Sequence, residues 1–62
     1  MKTYIVYDER ARTMTLEELA NRSCVMLATD DKQDALNFAE ENRGVVYEYD
    51  SKAVLENGEQ IN

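Results

Sequence analysis

The sequence predicts a small α+β domain: a three- to four-stranded, mainly antiparallel sheet packed in two layers with one main helix. Three observations lead there. Residues Thr3 to Tyr7 are β-branched or aromatic throughout, residues 30–43 have acids at the head and a glycine just past the end, and Val45 to Asp50 alternate before an Asn57-Gly58 turn signal. With 62 residues the chain is read as a single domain, 1–62, with one modest core, since a chain of this size buries only about 60% of its unfolded surface.

Thr3-Tyr-Ile-Val-Tyr7 is strand-forming in composition and too short for a free-standing helix. Tyr4 and Val6 fall on one face, Ile5 and Tyr7 on the other. Two apolar faces place this strand in the interior of the sheet. The polar stretch Asp8 to Thr13 leads away from it.

Thr15-Leu-Glu-Glu18 has the form of a capping box, in which the threonine hydroxyl accepts from the third backbone N–H and the glutamate reaches back, so a short helix is expected over 15–21. Two continuations fit. The spacing of Leu16, Leu19, Ala20, Ser23, Cys24 and Leu27 allows one helix as far as Ala28. The unbroken apolar run Cys24 to Ala28, ending in Thr29-Asp-Asp, equally suits a strand over 23–28, and this second reading is preferred.

The helix over 30–43 has Thr29 or Asp30 placed to cap it, Asp30, Asp31 and Asp34 at the end of the dipole that favours negative charge, and Gly44 in the C′ place. Ala35, Leu36, Phe38 and Ala39 form one apolar arc, which is expected to bury Leu36 and Phe38. Gln33, Asp34, Asn37, Glu40 and Glu41 form the opposite, solvent-facing ridge. In the following strand Val45, Tyr47 and Tyr49 share one face and Val46, Glu48 and Asp50 the other. Val54 to Ile61 reads as a hairpin on Asn57-Gly58, with Glu56 facing Glu59 in its register. The expected element order is β-α-β-α-β-β.

Composition narrows the function. Leu, Ile, Val and Phe make 13 of the 62 residues, about 21%, just above the level at which a charged chain stays disordered. Such a core is usually reinforced by disulfides, a metal or a partner. The one cysteine, Cys24, forms no internal disulfide and lies in an apolar run that points to a core role. Without histidine the commonest general base and metal ligand are missing. No catalytic residue, cofactor or metal site is expected, and the chain is read as non-enzymatic. The longest apolar runs are far short of the ~20 residues that cross a bilayer, no leader is recognised, and a cytoplasmic location is expected.

The net charge is -6, from 13 acids and 7 bases, and it is lopsided. Residues 1–29 balance Asp8, Glu9, Glu17 and Glu18 against Lys2, Arg10, Arg12 and Arg22. Residues 30–62 set Asp30, Asp31, Asp34, Glu40, Glu41, Glu48, Asp50, Glu56 and Glu59 against only Lys32, Arg43 and Lys52. This field repels phosphates and anionic membranes and attracts basic protein surfaces.

Motif tests are mostly negative. Residues 15–25, Thr-Leu-Glu-Glu-Leu-Ala-Asn-Arg-Ser-Cys-Val, resemble the opening of a helix-turn-helix, but Cys24 stands where that turn has glycine, and no basic or amide-rich helix follows to read a groove. Asp30, Asp34 and Glu41 match positions 1, 5 and 12 of a calcium loop, which breaks at Lys32 and Ala35. Gly44 and Gly58 are too few for a phosphate loop.

The expected function is therefore a protein-interaction module, an inhibitor or modulator of a partner with a basic surface. In overall type, though through no specific motif, the chain resembles small acidic accessory proteins of phages and mobile elements, some of which inhibit host nucleases, defence systems or transcription by placing carboxylates where phosphates would lie. The candidate contact residues are Asp30, Asp31, Asp34, Glu40, Glu41, Tyr47, Glu48, Tyr49 and Asp50; the two tyrosines join the acids in one surface if they are partly exposed, and the alternative is that two or three of the four tyrosines pack under the helix. The alternative is a small-ligand or nucleotide binder whose pocket forms between subunits of a homo-oligomer, with tyrosines stacking and Arg10, Arg12, Arg22 or Arg43 meeting a phosphate. Neither reading involves direct nucleic-acid or membrane binding, and a homodimer fits both.

Overall fold

The structure is a computed structural model that describes residues 2–15, 17–18, 24–50 and 58–62. Within these residues a four-stranded sheet has the spatial order β2-β1-β3-β4, with β1 at Thr3–Tyr7, β2 at Val25–Thr29, β3 at Val45–Tyr49 and β4 at Glu59–Gln60. Every pairing is antiparallel. A 3-10 helix, Glu9–Thr13, follows β1, and one α-helix, α1, spans Lys32–Asn42. The chain is thus α+β.

As its two apolar faces require, β1 lies between β2 and β3, and all five of its residues are buried. Its register against β3 sets Tyr4 opposite Glu48, Ile5 opposite Tyr47 and Val6 opposite Val46. Against β2 the register shifts between Val6 and Tyr7, so that Val6 faces Leu27 while Tyr7 faces Val25. One extra residue on β2 at this bulge brings Val25 onto the same face as Tyr7.

The two sides of the sheet carry separate cores. Tyr4, Val6 and Val46 pack under Ala35 and Ala39 of α1, with Leu27, Leu36, Phe38 and Ile61 at the margin. Ile5, Tyr7, Val45 and Tyr49 pack with Ala11 of the 3-10 helix and Cys24, with Met14, Val25 and Tyr47 at the margin. The expected two-layer arrangement therefore needs correction: the face away from α1 is a second core. The polar stretch 8–13 is not a simple exit loop, because Asp8 caps the 3-10 helix by accepting from the Arg10 N–H and Ala11 is fully buried.

β2 settles the ambiguity over residues 23–28. Val25–Thr29 is a strand, and a continuous helix to Ala28 is excluded, since those backbone groups pair with β1. The predicted capping box does form. The Glu18 N–H donates to Thr15 Oγ1 at 3.2 Å and the Thr15 N–H to Glu18 Oε1 at 3.1 Å, and Glu17 and Glu18 are helical. The remainder of the helix expected over 15–21 lies outside the described residues.

α1 is shorter than the expected 30–43 and is capped by neither Thr29 nor Asp30. The Asp31 carboxylate accepts from the N–H groups of Gln33 and Asp34, while the Thr29 hydroxyl accepts from Asp31 N–H. Its contact with the sheet also differs from expectation. The fully buried residues are Ala35 and Ala39, and Leu36 and Phe38 are half-buried at the flanks. Small side chains let the helix backbone sit close to β1, and the longer ones splay to either side.

Gly44 shows the same closeness. The left-handed residue that ends α1 is Arg43, at φ 56° and ψ 39°, and Gly44 has no positive φ. Gly44 is instead required by space, since a Cβ there would lie 2.6 Å from Val6 Cγ1 and 3.1 Å from the Tyr7 carbonyl oxygen. A Cβ on Gly58 would likewise run into the Tyr49 ring, at its Cε1, Cζ and Cδ1. The type I′ turn expected on Asn57-Gly58 includes Asn57, which lies outside the described residues. Glu59 faces Glu48 of β3; Val54, Leu55 and Glu56, the first arm of that hairpin, lie outside the described residues.

Candidate functional site

The nine residues expected to form a contact surface separate into two groups on opposite faces of the sheet. Tyr47 and Tyr49 lie on the face away from α1, with Tyr7. The Tyr7 and Tyr49 hydroxyls are 2.7 Å apart in the interior. Tyr47 meets Tyr7 edge-on, with ring centroids 5.6 Å apart, and stacks on Tyr49 at 6.3 Å. Tyr49 is 1% exposed, which decides for it between the surface and the core readings: its ring is enclosed against Gly58, and as a contact residue it is ruled out by burial. Tyr47 is half-buried. The single aromatic-plus-acidic surface expected from the sequence is therefore not assembled, because period-2 alternation sends the tyrosines to the face that α1 does not cover.

The acids lie on the α1 side or around its ends. Asp30, Asp34, Glu40 and Glu41 are exposed, and among the described residues none of them is in an ion pair. Asp31 is exposed as well, but its carboxylate is engaged in capping. Glu48 and Asp50 are held by Lys2, whose Nζ lies 3.6 Å from Glu48 Oε1 and 2.8 Å from Asp50 Oδ1. No local pattern marks this clip, because Lys2 and Asp50 are 48 positions apart.

Three ionisable groups respond. The hydrogen bond from Lys2, and then its charge, lower the Asp50 pKa below 3.8. The same hydrogen bond and the Asp50 charge raise Lys2 above 10.5. Burial, followed by a hydrogen bond with Glu48 and the charge of Glu48, raises Tyr4 above 10.0. Lys2 and Asp50 are open to water, so salt screens their attraction. Lys2 neutralises the β3 acids in part, and the acids of α1 keep their full field.

An open groove of about 530 Å3 lies where β1 ends and β3 begins, lined by Glu9, Arg12, Leu36, Ala39, Glu40, Arg43, Gly44 and Asn62. Its wall at the β4 side is built by the Asn62 side chain, which continues the strand. Asn62 Oδ1 accepts from the Val46 N–H at 2.9 Å, and its Nδ2 donates to the Gly44 carbonyl at 3.2 Å. Arg12 and Arg43, two of the four arginines considered for phosphate, meet here. Arg10 instead lies 3.5 Å from Asp8, and Arg22 falls outside the described residues. The groove is electrically balanced by Glu9 and Glu40 and lies at the negative end of α1; Tyr7, Tyr47 and Tyr49 pack on the far side of the sheet, and Tyr4 is buried under α1.

Cys24 is buried, with its Sγ 3.7 Å from Met14 Sδ, in keeping with a core role. Among the described residues no group of three or more metal-ligating side chains comes together, and no helix is long and apolar enough to cross a membrane. Compared with known proteins, the chain matches no family model, no curated protein and no solved structure.

Proposed function

We propose that the chain is a non-enzymatic interaction module whose acidic helix side docks on a basic protein surface and modulates or blocks that partner. The observation that supports this is the set of exposed carboxylates of Asp30, just before α1, and of Asp34, Glu40 and Glu41 on it, unpaired among the described residues. α1 is capped at Asp31 and seated through Ala35 and Ala39, so the carboxylates hold their spacing without a partner present. Fixed charge of one sign steers encounter with a surface of the other and gives the interaction its salt dependence. Glu48 and Asp50 belong to the edge of this surface, already neutralised in part by Lys2, and Tyr47 and Tyr49 do not belong to it. A partner whose basic surface normally holds nucleic acid fits the same chemistry, and inhibition of the phage-accessory kind would follow from occupying that surface.

The test is capture of partners from host lysate at low and high salt, with the double variant Glu40→Lys/Glu41→Lys run in parallel. The reading requires a partner retained at low salt, released at high salt and lost with the charge reversal. A partner that binds the reversed variant with the same affinity and salt slope removes the acidic ridge from the interaction.

The groove favours a second reading, a small anionic ligand held by Arg12 and Arg43 over Leu36 and Ala39. A thermal-shift series with nucleotides and inorganic phosphate decides it, because a ligand that binds only the folded state raises the melting temperature with concentration.

A further inference from the structure

The two edges of the sheet are guarded unequally. At one edge β4 is only two residues long, carries the exposed Glu59 and Gln60, and is extended by the Asn62 side chain. Shortness and charge are the usual ways of blunting an edge strand. At the other edge β2 has five residues, Val-Met-Leu-Ala-Thr, with no charge and no proline, and among the described residues it pairs on one side only. Ala28 is exposed, while Val25, Met26, Leu27 and Thr29 are half-buried. An uncharged edge with open backbone donors and acceptors is a template for another strand.

We propose that a second copy of this chain occupies that edge, joining β2 to β2 antiparallel about a two-fold axis at Leu27. The strand is self-complementary in this register. Leu27 meets its own mate on the α1 side, where it already belongs to the helix-side core, and Met26 of each copy lies opposite Ala28 of the other. Charge placement selects a copy despite the net -6 of each chain. The first acid beyond the strand, Asp30, is three residues from the axis, so the two Asp30 residues are about 20 Å apart at the usual strand rise. That is more than twice the ~8 Å screening length at physiological salt. Pairing also supplies the reinforcement a chain of this size otherwise lacks, with one cysteine and no metal cluster among the described residues. Two five-residue strands bury less than the ~1,200 Å2 of a standard interface, so the dimer is weak, dissociating in roughly the micromolar range.

Sedimentation velocity from about 1 µM to about 1 mM, spanning that range, tests the pairing on the wild-type chain and on Ala28→Lys, which puts a charge on an exposed position of the edge. The expected result is a concentration-dependent dimer, weakened at least about tenfold in the variant, whose melting temperature at high dilution is unchanged. Hydrogen exchange on the wild type provides a readout independent of any variant: amides within 25–29 gain protection as concentration rises, and those of β4 do not. A wild-type chain that stays monomeric across the range overturns the proposal, as does an Ala28→Lys variant that dimerises equally well. Glu40→Lys/Glu41→Lys leaves the dimer intact, so failure of the acidic-ridge reading and failure of this one are separable.

Discussion

Gly44→Ala is the substitution that most directly probes how closely the helix and sheet approach. At an exposed helix end, replacing glycine with alanine where φ is negative stabilises a protein by about 0.4–1 kcal/mol, because the unfolded chain loses freedom. Gly44 has no positive φ, so backbone conformation alone predicts a gain. Space predicts the reverse. The new methyl would lie 2.6 Å from Val6 Cγ1, 3.1 Å from the Tyr7 oxygen and 3.4 Å from Ala39 Cα. Val6 is 0% exposed on the second strand of the sheet, and two of the three neighbours are backbone, so none can swing aside. Overpacking of this kind costs about 1–3 kcal/mol, and after the entropy gain a net loss of about 1–2 kcal/mol remains. For a domain of this size that is a drop in melting temperature of roughly 4–16 °C. Arg43→Gly, one residue earlier, is expected to act in the opposite sense and stabilise by up to about 1 kcal/mol, since Arg43 carries the left-handed φ of 56°. Thermal and urea unfolding followed by far-ultraviolet circular dichroism measures both. Adding Val6→Ala should reduce the cost of Gly44→Ala by removing the methyl it strikes, a coupling that a double-mutant cycle reads directly. If Gly44→Ala is as stable as the wild type, or Arg43→Gly is less stable, the helix end is not built as described.

Other expectations follow from named contacts. Tyr49→Phe and Tyr7→Phe each break the buried 2.7 Å hydroxyl pair and should each cost about 1 kcal/mol, the double variant costing less than the sum in urea unfolding because both remove the same contact. For pH, Asp50 is depressed, so its contribution to stability is present above 3.8 and is lost as pH falls through its lower folded value. Lys2 and Tyr4 are raised, so theirs are full below 10.5 and 10.0 respectively and are lost as pH rises through the higher folded values. With no histidine, melting temperature should be level around neutrality and fall at both ends. Lys2→Met should return the Asp50 midpoint, followed by carbon NMR of the side-chain carboxyl, toward 3.8.

The exposed half of the candidate site was readable because amphipathicity is local. The ridge of Asp34, Glu40 and Glu41 opposite Ala35 and Ala39 is a matter of 100° per residue, and it needs no knowledge of what the helix lies on. The same holds for the capping box at Thr15 and Glu18, for β1 as an interior strand, and for the division of β3 into a tyrosine side and an acidic side. What failed was the step from shared face to shared surface. Alternation separates Tyr47 and Tyr49 correctly from Glu48 and Asp50, but it does not tell which side the helix covers, so it leaves open whether the tyrosines join the ridge or a core; they belong to the core on the other side of the sheet.

Sequence by itself determined the α+β class, the interior β1, the helix with an acidic outer face, and the absence of histidine chemistry, and it left residues 23–28 open between strand and helix. These follow from period, capping and composition, each of which acts within a few residues. Tertiary structure decided that α1 rests on alanines, that Gly44 is needed for space and Arg43 holds the left-handed turn, that Tyr7 and Tyr49 bond across 42 positions, and that Lys2 restrains Asp50 and Glu48. It also decided that β4 is short and charged while β2, among the described residues, pairs on one side only. Each of these depends on the register of β1 against both neighbours, which brings distant residues to within a few ångströms, and register is a property of strand pairing that no single segment of the chain contains.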